Sequence, residues 1–173
     1  MPTKIPTEIM HIEWIGPFSV AQVQSLTKDE DYGVYQVYGG HAIYGSDTLL
    51  YIGQANMQTF AVRIRQHKSW LDFNQDAEHL RFYMGRIAGE ITPPDKVWNE
   101  QIDFAERLLV YACRPAYNSQ QHLTAKLDTK LQKVHILNWG QFRDLLPEVS
   151  GARWTSKYDD MPKYHVFGSE AEQ

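Results

Sequence analysis

The chain has one cysteine, Cys113, in 173 residues. That excludes an intrachain disulfide framework and most cysteine-rich zinc sites. No run of about 18 apolar residues occurs, so no membrane span is expected. Residues 1–14, MPTKIPTEIMHIEW, lack the long apolar core of a signal peptide, and a cytoplasmic protein is the expectation. An excess of positive charge is missing too, since the formal net charge is −4. A basic balance is the usual footprint of a nucleic-acid binder. A local basic patch can still hold phosphates on an acidic protein, so the total excludes little. No internal repeat or low-complexity tract is visible.

What remains is a single-domain length with enough apolar residue content to bury a core. The aromatic share includes ten Tyr and five Trp, which suits either a large core or stacking surfaces.

Read along the chain, HIEWIGPFSV (11–20) suggests a short strand leading into a turn at Gly16-Pro17, and Ser19 can cap a short helix through Leu26. Residues 33–38 and 49–53 are rich in Val, Ile, Leu and Tyr and read as strands. Gly39, Gly40, Gly45, Ser46 and Asp47 are turn formers, so a β-hairpin with a long connection is expected. Alternation puts Tyr35 and Val37 on one face, and Leu49 and Tyr51 on one face; register alone decides whether the phenols meet.

Residues 57–71 read as a helix with Phe60, Ile64 and Leu71 on its apolar stripe. Arg63 and His67 stand four apart, which aligns them on one face. Residues 79–87 suggest a third strand. Pro93-Pro94 then opens a helix over about 95–113, with Asp95 in its first turn and Glu106 bordering its buried face. A further helix over 120–133 and a strand over 134–139 are expected.

Taken in order, Gly33-Val34-Tyr35, Tyr51-Ile52-Gly53, Arg63 and His67 on one helix, Glu106 on a later helix, and Pro115-Ala116-Tyr117-Asn118 resemble the GIY-YIG nuclease family. The resemblance covers residues 32–120, the extent of that family's catalytic module. Residues 1–31 and 121–173 would flank the module within a single domain. Arg63, rather than Arg65, matches the family's arginine, because it sits one turn before the histidine. The connection between the two tyrosine motifs is longer than in the compact members, as in the restriction-enzyme branch.

The resemblance implies an α+β fold, with a small central antiparallel β-sheet flanked by helices. It implies a metal-dependent DNA endonuclease that hydrolyses phosphodiester bonds. The finer expectation is a sequence-specific type II restriction enzyme acting on double-stranded DNA, with Mg²⁺ or Mn²⁺ as cofactor. Cutting both strands with one pocket per chain would require a homodimer. The alternatives are a structure-specific or nicking nuclease of repair or a mobile element, and a non-catalytic nucleic-acid-binding module.

By the same resemblance, Glu106 anchors the metal ion. Tyr35 is the general base, directly or by orienting water, and Arg63 or the ion would lower its pKa from about 10. Tyr51 holds the water or the scissile phosphate, and Arg63 binds that phosphate. His67 relays a proton or hydrogen-bonds Tyr35, and Asn118 fixes the pocket. The plain readings stand beside these: strand aromatics for Tyr35 and Tyr51, a solvated arginine for Arg63, a surface histidine for His67, and a surface acid paired to Arg107 or to a lysine elsewhere for Glu106. Arg65, Lys68, Arg81, Arg86, Arg153 and Lys157 are candidates for DNA contact. The last two belong to an aromatic-basic stretch, ARWTSKYDDMPKYH, which suits either phosphate contact with base stacking or packing on the domain.

Overall fold

Alternating apolar residues in EIMHIEWIGPF build β1 (Glu8–Phe18), whose Met10, Ile12 and Trp14 are buried. The computed structural model describes residues 8–67, 79–118 and 130–154, with the side chains of 153 and 154 excepted. The strand runs through Gly16-Pro17, where a turn was expected. Pro17 is tolerated because β5 pairs with β1 only as far as Trp14, and the register on the β4 side shifts between Ile15 and Phe18. Ser19 then caps α1 (Val20–Val23) through a capping box closed by Gln22.

The hairpin consists of β2 (Gly33–His41) and β3 (Gly45–Ala55), joined by only three residues, 42–44. The long connection expected from its glycines is absent. Gly39 and His41 pair with Thr48 and Gly45, and register shifts absorb the extra residues, with Asp47 at φ 61°. Ladder pairing thus holds in strands residues whose local preference is for turns.

Helix α2 (Phe60–Gln66) is shorter at its start than the expected 57–71, since Met57 at φ 59° cannot be helical; Leu71 lies outside the described residues. β4 (Arg81–Ala88) is the third strand. Helix α3 (Asp95–Cys113) closes at Arg114 in the left-handed region before Pro115, a usual way to end a helix. After it come a 3-10 turn (Leu131–Lys133), β5 (Val134–Gly140), β6 (Glu148–Ser150) and a short helix, Gly151–Trp154. The rest of the helix expected over 120–133 lies outside the described residues.

The strands form one six-stranded sheet in the order β3-β2-β4-β1-β5-β6. It is larger than the small antiparallel sheet expected, and it is mixed, because β1 and β5 run parallel while the other pairs are antiparallel. The fold is α+β. Residues on both sides of the 32–120 segment contribute strands to the same sheet, so they extend its core. Helix α3 covers one face, burying Ile102, Leu108 and Leu109 against Ile12, Val34 and Ile52. Helices α1 and α2 cover the other face at the β3-β2-β4 end, where Val23, Phe60 and Ile64 meet Val37, Leu50 and Met84. No described helix is long and apolar enough to cross a membrane.

Candidate active site at the edge of the sheet

Register brings the two tyrosines together. Tyr35 is opposite Gly53 and Val37 is opposite Tyr51, so both phenols project on the α2 side, diagonally across the hairpin. Their ring centroids are 6.1 Å apart. Gly53 makes this possible: a Cβ there would lie 2.5 Å from both the Tyr35 Oη and the Tyr51 Cε1. Gly33 has a similar function at the backbone. Its φ of +147° and a Cβ position 2.2 Å from the Gly85 carbonyl oxygen leave room only for hydrogen. Gly53 therefore clears space for both rings, while Gly33 lets β2 approach the β4 backbone.

Helix α2 supplies the second layer. His67 is its C-cap residue, and its Nε2 is 3.0 Å from the Tyr35 Oη. The imidazole also packs edge-on to the Tyr51 ring, with centroids 5.8 Å apart. Arg63, one turn earlier, sits against both phenols, and its Nε is buried without a hydrogen-bond partner. A buried, unpartnered guanidinium nitrogen is costly unless an acceptor reaches it.

The acid comes from the helix on the opposite face. Glu106 is only 5% exposed, deeper than a border position on α3 suggested. It does not pair with Arg107, whose ion pair is with Asp103. Gln54, the β3 residue directed to the α3 side, donates from Nε2 to the Glu106 Oε2 at 2.7 Å, and its Oε1 accepts from Asn56. The Glu106 charge acts on both Tyr35 and Tyr51, so the acid borders the same site. Gln54 was missed in the sequence. Its one signal is adjacency to Tyr51-Ile52-Gly53.

Asn118 acts on the β3 backbone rather than on the phenols themselves. Its Oδ1 accepts from the Ile52 N–H at 3.0 Å and its Nδ2 donates to the Ile52 carbonyl at 2.8 Å. Tyr117 N–H donates to the Leu50 carbonyl, and Ala116 N–H to that of Leu49. Pro115-Ala116-Tyr117-Asn118 thus closes the outer edge of β3, which would otherwise expose unpaired backbone. Asn118 positions the strand that carries Tyr51 and Gly53.

Burial dominates the protonation of the phenols. It pushes Tyr35 far above the ordinary tyrosine value, and the Tyr51 charge adds to the shift; Arg63 opposes it without overcoming it. Tyr51 is raised by burial and by Glu106, against Arg63. The expected lowering of the Tyr35 pKa by Arg63 is therefore not found. Burial, then Arg63, lowers His67, which favours the neutral imidazole. A neutral ring with its proton on Nδ1 accepts from the Tyr35 hydroxyl.

The outlying cations divide. Arg65 is exposed on α2, with its Nε donating to the Ala61 carbonyl. Arg81 lines a separate cleft with His79 and Arg143. Arg86 forms an ion pair with the fully buried Asp31 and donates to the Glu30 carbonyl, so it clamps β4 to the loop before β2. Its cleft, about 740 Å³, also carries Asp29, Glu30 and Glu90, which is no basic groove. Lys68 and Lys157 lie outside the described residues, as does the side chain of Arg153.

Among the described residues, no three His, Cys, Asp or Glu side chains gather as a ready metal cage. No protein-family model, curated protein or solved structure matches the chain.

Proposed function

We propose that the chain is a metal-dependent endonuclease that hydrolyses phosphodiester bonds in DNA, with its active site at Tyr35, Tyr51, Arg63, His67 and Glu106. The observation that carries this reading is convergence. Two phenols, an imidazole, a guanidinium whose Nε lacks an acceptor and a buried carboxylate approach one sheet edge from four elements. The residues and their order are those by which the sequence resembles GIY-YIG nucleases.

The donor set fits a hard divalent ion, Mg²⁺ or Mn²⁺, held by Glu106 together with substrate oxygens. Such an ion stabilises the leaving oxygen. Arg63 receives the scissile phosphate, whose oxygen gives its Nε the missing acceptor and whose growing charge it offsets. Tyr51 orients that phosphate or the attacking water. Tyr35 stays a phenol at neutral pH, so it acts as a relay. It takes the water's proton at Oη as it passes its own to the neutral His67 Nε2. Gln54 holds the Glu106 carboxylate in place.

Incubation with supercoiled plasmid and Mg²⁺ tests the reading. The wild type should cut, EDTA should stop it, and Glu106→Ala should bind DNA without cutting. Discrete fragments would favour the restriction type, and relaxed circles a nicking enzyme. Absence of metal-dependent cutting by the wild type, both of plasmid and of branched or flapped DNA, would leave a binding module.

A further inference from the structure

The hairpin tip carries rings that its turn does not need. Tyr44 stacks on His41 with centroids 4.6 Å apart and planes inclined by 22°, and Tyr117 packs against the same imidazole at 5.3 Å. Tyr44 is 67% exposed and Tyr117 49%. Turn positions favour small or polar residues, and rings this exposed leave much of their surface to solvent. The imidazole is pinned, because its Nδ1 accepts from the N–H groups of Ile43 and Tyr44 at 3.2 Å each. Arg114, exposed beside this cluster in the chain, lies over the Tyr111 ring.

We infer that Tyr44, His41 and Tyr117 form a stacking platform for an unpaired base of the substrate strand. The choice of a nucleic acid as occupant rests on the nuclease reading; the geometry of the platform does not. A rigid, exposed ring stack offers a face to any base, whatever its sequence. A base inside a duplex has both faces covered by its neighbours, so only an extruded base or a single-stranded segment can continue the stack. The platform is tied to the site by the backbone. Tyr117 bonds to Leu50 and its neighbour Asn118 brackets Ile52, on either side of Tyr51. His41 pairs with Gly45, roughly 20 Å along β3 from Tyr51 at the usual strand rise. That is about six nucleotides at the duplex rise, and fewer in an extended strand. Arg114 brings one positive charge close to Tyr117 in the chain, and the exposed rings themselves offer stacking rather than phosphate attraction. The substrate class is DNA with unpaired bases a few nucleotides from the cut bond.

Fluorescence polarisation with a labelled single strand and with a blunt duplex of the same sequence, both in EDTA, tests the platform. Tyr44→Ala and Tyr117→Ala should each weaken single-strand binding by roughly tenfold. Tyr44→Phe should keep it, and duplex affinity should stay unchanged. With Mg²⁺, a duplex carrying unpaired bases should be cut faster than a fully paired one, and Tyr44→Ala should abolish that preference. Equal single-strand affinity in Tyr44→Ala and the wild type would overturn the inference. So would a Tyr44-dependent dimer in sedimentation with DNA binding unchanged, since the tip would then be a protein contact. The two proposals fail separately. Tyr44-dependent single-strand binding by a chain that cuts nothing removes the nuclease and leaves the platform. Glu106-dependent cutting that ignores Tyr44 and Tyr117 removes the platform alone.

Discussion

Two pairs of tyrosines lie in this sheet, one on each face, and an arginine attends each pair. On the α3 side, Tyr38 and Tyr83 meet edge to face at 5.5 Å, with Arg143 4.4 Å above the Tyr38 ring. On the α2 side, Tyr35 and Tyr51 meet with Arg63 against them. Burial raises the pKa of both Tyr35 and Tyr38, so desolvation does not distinguish the pairs. Their partners do. Arg143 donates to the Tyr83 hydroxyl and to Asp47, and Tyr38 donates to Gln36 while accepting from the Asp144 N–H. That cluster spends both hydroxyls and its guanidinium on the fold, although the Gln36 Nε2 is buried without a partner. The Tyr35 cluster retains an arginine Nε without an acceptor, a neutral imidazole at the phenol and a buried acid nearby. The contrast teaches that chemistry is recognised less by residue type than by polar capacity left over.

The widest separation between the two clusters should come from Glu106→Ala. Plasmid cleavage in Mg²⁺ should fall by on the order of 10³-fold or more, with DNA affinity in EDTA unchanged. Cleavage at the wild-type rate would make the two clusters equivalent.

Tyrosine-to-phenylalanine exchange gives the most direct comparison. Tyr35→Phe keeps the ring and removes the proton relay, so cleavage should drop by roughly 10²- to 10⁴-fold. Tyr38→Phe should leave cleavage intact. It should instead cost about 1–3 kcal/mol in urea unfolding, since Gln36 and the Asp144 N–H lose their partner. A Tyr38→Phe variant that folds stably and fails to cut would reverse the assignment.

Gly53→Ala sharpens the geometry. Its methyl would have to displace both phenols, which should cost about 1–3 kcal/mol in thermal or urea unfolding and impair cleavage as well. Gly40→Ala is the control, because a Cβ there meets nothing within 4 Å. Equal behaviour of the two variants would rule out a role for close packing at Gly53.

The smallest effect concerns pH. His67 is lowered in the folded chain, so the unfolded chain takes up its proton first on acidification. Its contribution to stability is therefore complete above about pH 6.5 and declines below it. The urea midpoint should fall less steeply below that pH in His67→Gln than in the wild type. Cleavage by the wild type should persist below pH 6.5 and fail only at more acid values. An acid limb at or above pH 6.5 would count against the neutral imidazole as proton acceptor.

Much of this was legible along the chain because it is local. The β2 and β3 strands, helix α3 with its stop at Arg114-Pro115, the cap at Ser19 and the spacing of Arg63 and His67 follow from periodicity and from the dihedral preferences of single residues. The same residues could not reveal partners. Register placed Tyr35 opposite Gly53, and only then did that glycine acquire a function. The parallel pairing of β1 with β5 and the short strand β6 depend on contacts between segments more than a hundred residues apart in one case, and on three residues of weak pattern in the other. The burial of Glu106 against Gln54, and the use of Asn118 to close the β3 edge, likewise required the packed sheet. Sequence alone determined which side chains were available and on which elements. Tertiary structure decided which of them meet, because a hydrogen bond or a buried charge takes its energy from neighbours brought close by packing, and no local pattern encodes those.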